Sequence, residues 1–211
     1  MYKEYKYLYE THMHTNRASA CARCSGYEMA KAAKEYGYSG IIITEHNWGG
    51  NTCIPRELEW GEWIRQFIKG YEEAYAYGKE NDLDVFWGYE AGFNGTEFLI
   101  YGVTPEWMIN HPEIKDADVK KQFELISAAG GMVVHAHPYR EEDYIPEIRL
   151  YPEYVHAIEG VNATHSNSHS MAHNKKEFDD EAIAYASRIN LPITAGSDIH
   201  TTNMFGGGGV I

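Results

Sequence analysis

Residues 7–46 read YLYETHMHTNRASACARCSGYEMAKAAKEYGYSGIIITEH, and this stretch decides the fold. A β-prone run at 6–10 comes first, and a run of β-branched residues fills 40–45. Between the two runs Ser25 stands three residues before Glu28, which is the spacing of a helix capping box. The stretch therefore predicts a strand, a helix and a second strand.

The same alternation continues along the rest of the chain. Further β-prone runs occupy 84–90, 97–103, 131–136, 157–162 and 192–197. Apolar residues at helical spacing predict helices within 56–80, 116–129 and 176–189. Repeated strand–helix units of this kind indicate an α/β fold.

Length and composition fit one domain that spans residues 1–211. The chain has 211 residues, of which 44% are hydrophobic, and this suits one substantial core. No internal repeat, low-complexity tract or Pro-rich linker marks a boundary. The final residues, FGGGGVI, resemble the start of another strand with nothing after it, so we expect a truncation there.

The charge balance argues against long nucleic acid as a partner. With 31 acidic and 18 basic side chains the formal charge is −13, which repels a phosphate backbone. The N-terminus lacks an apolar signal region, and the longest aliphatic run, Ile41 to Ile43, is too short to cross a bilayer. We expect a cytoplasmic protein with no membrane partner. The oligomeric state is not predicted.

Three cysteines, Cys21, Cys24 and Cys53, favour reduced thiols over a disulfide framework. Cys21 and Cys24 form a single CxxC, whereas a zinc ribbon would need a second one. The favoured interpretation of this pair is packing near the start of a helix.

Imidazoles and carboxylates cluster at the ends of the predicted strands. Residues i and i+2 of a strand point to the same face, so HMH, HAH and DIH each direct two polar side chains the same way. A single histidine is more often structural than a ligand, but so many buried ionisable groups would be costly without cations. In a (β/α) barrel these strand ends meet at one mouth. The mixture of imidazole and carboxylate is typical of Zn, Mn or Fe sites, and the residues concerned are His12, His14, Glu45, His46, Glu90, His135, His137, Asp198 and His200.

These motifs resemble those of the PHP (polymerase and histidinol phosphatase) metal-dependent phosphoesterases over nearly the full length. THMHT is similar to the opening HxH of the family, GIIITEHN to its TDH element, and YEAG to its glutamate element. VVHAHPYR and AGSDIH are similar to the HP and DxH elements. The resemblance implies a distorted (β/α)7 TIM-like barrel with two or three divalent ions at its mouth, which hydrolyses phosphate esters.

Carried over position by position, the resemblance implies a ligand set for each ion. His12, His14, Glu90 and Asp198 would hold the first ion, Glu90 and His137 the second, and His46 and His200 the third. Among these residues, Glu90, His137, Asp198 and His200 are the expected catalytic residues.

The sequence departs from the family pattern at two ligand positions. AlaSerAla and Cys21 stand where many trinuclear members have a histidine after HxH, and IleTyrGlyValThr stands where another is expected. His135 shares the predicted strand face of His137, so it is a candidate substitute ligand. Glu45 replaces the usual aspartate, and we expect it to orient a ligand imidazole rather than bind metal itself.

Arginines near the strand ends are candidates for binding phosphate, because guanidinium can bond it in bidentate fashion. Arg140 is the first candidate and Arg17 the second. The histidines of HSNSHSMAH, at 165, 169 and 173, are four apart, and a solvated helix face is favoured over a substrate lid or an extra metal site. His165, nearest the strand end, is kept as a candidate substrate-binding residue.

The sequence therefore predicts a metal-dependent phosphoesterase that acts on a small phosphorylated metabolite or nucleotide through a metal-activated water. An amidohydrolase-like C–N hydrolase on the same barrel is the main alternative. A non-catalytic, metal-bound sensor or partner-binding module is the other.

Overall fold

The computed structural model describes residues 6–166 and 175–211. In this part of the chain seven strands form one sheet in sequence order. Their bounds are β1 Tyr9–Glu10, β2 Gly40–His46, β3 Asp84–Phe93, β4 Thr96–Tyr101, β5 Met132–His135, β6 Ala157–Asn162 and β7 Ile193–Gly196. The helices are α1 Gly26–Tyr36, α2 Trp60–Phe67, α3 Lys69–Asn81, α4 Pro105–Asn110, α5 Val119–Ala128 and α6 Glu177–Ile189.

The sheet is a nearly closed barrel, which confirms the predicted fold class. Strands β1 to β3 run parallel, β4 lies antiparallel to both of its neighbours, and β5 to β7 run parallel again. Beyond the first and last strands, Met13 and Ile199 form a parallel bridge, in which the His14 N–H donates to the Ile199 carbonyl at 2.8 Å. This bridge brings the two sequence-distant ends of the sheet together.

The first helix forms as the capping signal predicts. The Ser25 hydroxyl accepts from the Glu28 N–H at 3.3 Å, and the Glu28 carboxylate accepts from the Ser25 N–H at 2.8 Å. The predicted helix within 56–80 is instead two helices, α2 and α3, which meet at Ile68.

Strand β4 departs from the predicted repetition of strand–helix units. It follows β3 directly through a two-residue turn at Asn94 and Gly95, whose φ angles of 49° and 87° are left-handed. Asn-Gly with both residues at positive φ is a typical hairpin turn. The hairpin therefore places one antiparallel strand inside an otherwise parallel barrel.

Helices α1 and α3 pack closely because both carry glycine at the contact. A Cβ on Gly26 would lie 1.8 Å from the Gly70 carbonyl oxygen. A Cβ on Gly70 would lie 2.5 Å from the Glu45 carboxylate. Only glycine lets the two helices sit this close to the end of β2.

The two larger clusters of the core are an aromatic one and an aliphatic one, and Leu99, Val134, Ala136 and Ala157 form a smaller third. The first is built around Trp63, Phe67, Tyr89, Phe98 and Phe123, and the second around Met13, Met29, Ile41, Ile43 and Ile199. Among the described residues, no helix has both the length and the apolar character needed to cross a membrane.

Candidate metal centre

Residues at and beyond the carboxyl ends of the strands bring their polar side chains into one mouth. His12 and His14 follow β1, His46 ends β2, Glu90 lies in β3, His137 follows β5, and Asp198 and His200 follow β7. All except His200 are buried, and the side chain of His200 is 22% exposed. The fold thus joins predicted ligands that are up to 188 residues apart, from His12 to His200.

Glu90 is the centre of the cluster, because its carboxylate lies close to four imidazoles. Its Oε1 is 3.3 Å from His12 Nε2 and 3.2 Å from His137 Nε2. Its Oε2 is 3.5 Å from His14 Nε2 and 2.8 Å from His46 Nδ1. Each carboxylate oxygen of Glu90 therefore faces two rings, so Glu90 can belong to more than one group of metal donors.

Asp198 completes a set of donors around the first proposed ion. Its Oδ1 is 3.5 Å from His12 Nε2 and 3.2 Å from His14 Nε2. Ligand atoms that each lie about 2.1 Å from one ion are separated from each other by roughly 3.0–3.4 Å. The observed separations are close to this range. His12, His14 and Glu90 form one group of donors that could share an ion, and His12, His137 and Asp198 form another.

Buried donor atoms without hydrogen-bond partners support the same conclusion. Among the described side chains they include His12 Nε2, His14 Nε2, His46 Nδ1 and Glu90 Oε2. Buried polar atoms normally have partners, and an uncompensated one costs free energy. Cations bound at the mouth would give these atoms partners.

The other ring nitrogens of the first two histidines are occupied, and this fixes their orientation. His12 Nδ1 lies 2.8 Å from Glu159 Oε1, and His14 Nδ1 lies 3.2 Å from the Ser19 hydroxyl, which donates to Glu45 Oε2 at 2.6 Å. With a proton on each Nδ1, both rings turn the Nε2 lone pair toward Glu90. Glu45 therefore lies behind the cluster and acts on His14 through Ser19.

The pKa of His14 is lowered and the pKa of His12 is raised. Burial, followed by the neighbouring His46, lowers the pKa of His14 well below its usual value. Burial also acts to lower the pKa of His12, but Glu159, Asp198 and Glu90 outweigh it and raise that pKa well above its usual value. In the metal-free protein His12 therefore holds a proton that a bound cation would replace.

Glu159 is a buried carboxylate beside the donor cluster that the sequence analysis does not predict. It lies in β6, and besides contacting His12 it accepts from the His137 N–H and from Asn162 Nδ2, both at 3.0 Å. No motif marks it, since a single glutamate in a short strand looks unremarkable. Its only signal is that a charged residue occupies a strand that is otherwise expected to be buried.

Glu97 on β4 was also missed, because the hairpin that carries it was not predicted. Its carboxylate lies 3.7 Å from His46 Nδ1 and 3.6 Å from His137 Nε2. Burial and the nearby Glu90 carboxylate raise the pKa of Glu97 to about 8. Glu97 therefore adds a carboxylate to the group formed with His46 and Glu90.

Cys21 lines the mouth of the barrel. The interpretation that it packs near the start of a helix is therefore wrong. Cys21 lines one cavity with His46 and His200, and Cys24 instead packs against the aliphatic cluster. Burial acts to raise the pKa of Cys21, but the two imidazoles outweigh it and lower that pKa to about 6. Cys21 occupies the segment where the resembled family has a histidine.

Arg140 contacts the donor cluster through Asp198. Its Nη2 donates to Asp198 Oδ2 at 2.8 Å, and its Nε donates to His165 Nε2 at 3.2 Å. His165 Nδ1 in turn lies 2.6 Å from Asp179 Oδ1 on α6. The guanidinium is thus 3% exposed and held on two sides.

His165 does not lie on a solvated helix face, so that interpretation was wrong for this residue. It sits in a short 3-10 helix at Ala163–His165 and is 2% exposed, because it fills the space between Arg140 and α6. The other two histidines of the motif, His169 and His173, lie outside the described residues.

Arg17 and His135 lie away from the cluster, contrary to expectation. Arg17 is exposed and its Nε donates to Glu73 at 2.8 Å, because the loop after His14 turns it toward α3. His135 stacks on Phe98 with ring centroids 4.6 Å apart. The strand ends at His135 and His137 has a left-handed φ of 27°, so the alternation that would put both rings on one face breaks there.

A cavity of about 520 Å³ opens onto the cluster. Its lining carries three carboxylates, Glu90, Glu97 and Asp198, together with Cys21, Tyr144 and the glycines of residues 49–50. Arg140 is the only arginine or lysine among the described lining residues. The volume suits a small molecule.

A barrel that gathers imidazoles and carboxylates at its mouth defines a metal-binding α/β protein. The sequence profile of the PHP domain matches residues 10–190, so the chain belongs to the PHP domain family. This confirms the resemblance drawn from the motifs. A search of curated proteins finds no match.

Solved structures share this fold at low sequence identity. A two-domain protein from Bacteroides vulgatus that contains a predicted PHP-like metal-dependent phosphoesterase matches with a TM-score of 0.64 and 16% identity, over 93% of this chain and 53% of that one. The present chain thus spans about half the length of that neighbour. A protein from Bifidobacterium adolescentis, inferred to be a metal-dependent phosphoesterase, matches with a TM-score of 0.59 and 14% identity, over 92% and 88%. An amidohydrolase from Chromobacterium violaceum with bound sulfate matches with a TM-score of 0.56 and 15% identity, over 91% and 87%.

Proposed function

We propose that the protein is a metal-dependent hydrolase of phosphate esters, with a small phosphorylated metabolite or nucleotide as substrate. The observation that carries this proposal is the pairing of the Glu90-centred donor cluster with Arg140 at the wall of the same cavity. The donor set of imidazole and carboxylate suits two or three Zn, Mn or Fe ions.

The charge of the cavity explains why ions are needed. Its described lining holds the carboxyl groups of Glu90, Glu97 and Asp198, and Arg140 is the only arginine or lysine beside them. Bound divalent ions would add the positive charge that a phosphate group needs. When bound, the ions would lower the pKa of a coordinated water and offset negative charge that develops on the phosphoryl group.

The residues of this chain supply the remaining parts of the reaction. Glu90 and Asp198 would fix the ions relative to each other, and Arg140, held by Asp198 and His165, would orient the ester. His200 is partly exposed at the cavity wall, where it would help His46 to hold the third ion. His137 and Glu97 would close the side of the site next to β4.

Substrate size follows from the cavity and the surface charge. The cavity at the barrel mouth has a volume of about 520 Å³, and the formal charge of the chain is −13. Both features disfavour duplex nucleic acid, which needs an extended basic surface.

A second candidate is an amidohydrolase-like C–N hydrolase, because a structure with that name shares the fold. The same neighbour carries a bound sulfate, which has the shape of phosphate and is compatible with the first candidate. The dependence of turnover on Arg140 distinguishes the two candidate functions, since an uncharged amide substrate does not need a guanidinium.

Elemental analysis followed by a screen of phosphate esters and amides tests the proposal. We expect at least two transition-metal ions per chain and turnover of small esters. Arg140→Lys should impair that turnover, because the charge stays but the bidentate geometry is lost. Arg140→Ala should lower kcat/KM by roughly thirty- to a thousandfold, which corresponds to about 2–4 kcal/mol.

The matched control is Arg65→Ala, which removes an exposed guanidinium paired with Glu62 on α2. It should leave kcat/KM unchanged. Equal kcat/KM in the wild type and both Arg140 variants would contradict the proposed role of this arginine, and turnover of amides alone would favour the second candidate.

A further inference from the structure

Cys21, His46 and His200 line the same cavity, beside the donor cluster. The thiol interacts electrostatically with both imidazoles. The remaining cysteines are placed elsewhere. Cys53 is exposed, with its sulfur 3.7 Å from the Arg17 carbonyl, and Cys24 packs against the aliphatic cluster.

The backbone on both sides of Cys21 is fixed to the strands that carry these imidazoles. The Arg23 N–H donates to the carbonyl of His200 at 3.0 Å. Ser19, two residues before Cys21, accepts from the His46 N–H at 3.0 Å through its hydroxyl. The position of the thiol is therefore set relative to both rings and does not depend on a free loop.

The rings around the thiol are arranged as ligands. His14, His46 and His200 bring one ring nitrogen each within 4.8 Å of one another. His46 is 7% exposed, and its Nδ1 is buried without a hydrogen-bond partner, although Glu90 Oε2 lies 2.8 Å away. The Nδ1 of His200 lies 2.8 Å from the Asp198 carbonyl, which leaves its Nε2 as the available donor atom.

We propose that the Cys21 thiolate is a direct ligand of the cation held by His46 and His200. On binding, the S–H bond breaks, the proton goes to solvent and a sulfur lone pair is donated to the cation, so no electrons are transferred. Thiolate is a soft ligand that favours zinc and iron over manganese and magnesium. This cation position would thus differ in metal preference from the position formed by His12, His14, Glu90 and Asp198. The inference rests on the metal occupancy proposed above and not on the reaction.

Cobalt(II) substitution tests the inference without using activity. The protein is loaded with cobalt and its absorption spectrum is recorded for the wild type, Cys21→Ser, Cys21→His, Cys24→Ser and Cys53→Ser. A thiolate bound to cobalt gives a charge-transfer band in the near ultraviolet. We expect this band in the wild type and in the Cys24 and Cys53 variants, and its loss in both Cys21 variants.

Metal counting and alkylation provide the second readout. Cys21→Ser should lose up to one ion per chain, and Cys21→His should keep the wild-type count, because imidazole is also a ligand. Iodoacetamide should modify Cys21 in the metal-free protein and not in the metal-loaded one, whereas Cys53 should react in both.

Each outcome bears on the inference separately from the reaction. A full complement of cobalt with no near-ultraviolet band, or with Cys21 alkylated at the same rate with and without metal, would overturn the thiolate ligand and leave the phosphoesterase proposal intact. Failure to bind any cobalt would overturn both. A band that depends on Cys21, found in a protein with no ester turnover, would support the ligand and count against the reaction.

Discussion

Replacement of Glu159 by glutamine should weaken metal binding although Glu159 is not itself a proposed ligand. Its carboxylate accepts three hydrogen bonds, one from His12 Nδ1–H on Oε1 and two on Oε2, from the His137 N–H and Asn162 Nδ2. An amide has only one oxygen. Whichever way the introduced glutamine side chain is turned, its NH2 group faces another hydrogen-bond donor. Either His12 or His137 therefore loses its hydrogen bond to residue 159.

The size of the effect follows from what these bonds do. Removing the partner that orients a metal-binding histidine typically lowers metal affinity about ten- to a hundredfold, which is roughly 1.4–2.7 kcal/mol. Because Glu159 supports residues assigned to two different ions, we expect the loss to affect more than one ion per chain.

Competition against a chromophoric chelator measures this loss as a change in apparent Kd. Glu153→Gln is the matched control, since Glu153 lies on the surface six residues earlier and contacts none of the proposed ligands. Circular dichroism checks that both variants fold. Metal affinity in Glu159→Gln equal to that of Glu153→Gln would refute the argument that this carboxylate orients the metal-binding rings.

Three further predictions concern the bridge, the helix contact and pH. Glu90→Gln should lose at least one ion per chain by elemental analysis while the fold survives, because it removes the charge shared by four imidazoles; an unchanged metal content would show that the bridge is assigned to the wrong residue. Gly26→Ala should lower the free energy of unfolding by roughly 1–3 kcal/mol or more, because the added Cβ would lie 1.8 Å from the Gly70 carbonyl oxygen. Denaturant titration measures this loss, and wild-type stability would contradict the close packing of α1 and α3. Apparent metal affinity should rise with pH by up to about tenfold per pH unit for each proton displaced, because the protonated His12 must lose its proton before it binds metal. Chelator competition at several pH values measures this affinity. An affinity that does not change with pH would argue against the replacement of a His12 proton by metal.

Much of the barrel could be predicted from sequence because local signals and the final structure agree. The β-branched run at 40–45 forms β2, and the Ser25 capping box starts α1. Most of the histidines and carboxylates that meet at the mouth stand at the ends of such strands. Their positions were therefore visible as soon as the strands were placed.

The parts that could not be predicted depend on local backbone conformation or on distant partners. Alternation along a strand holds only while the strand continues, so it failed for His135, where the backbone leaves the β region within two residues. The turn at Asn94 and Gly95 was a usable hairpin signal, and recognising it would have placed Glu97 at the mouth. Glu159 had no comparable signal, because its role depends on rings that are far away in sequence.

Two of the proposed ligands, His137 and Asp198, have left-handed backbones, with φ angles of 27° and 51°. That conformation costs a residue with a side chain roughly 1–2 kcal/mol relative to glycine. Selection for thermal stability alone, as in a library screened by heat treatment, would therefore favour glycine at His137, whereas at Asp198 the buried ion pair with Arg140 opposes that change. Such a screen would enrich well-folded barrels that have lost a ligand, so any attempt to make this protein more robust has to select for metal retention at the same time.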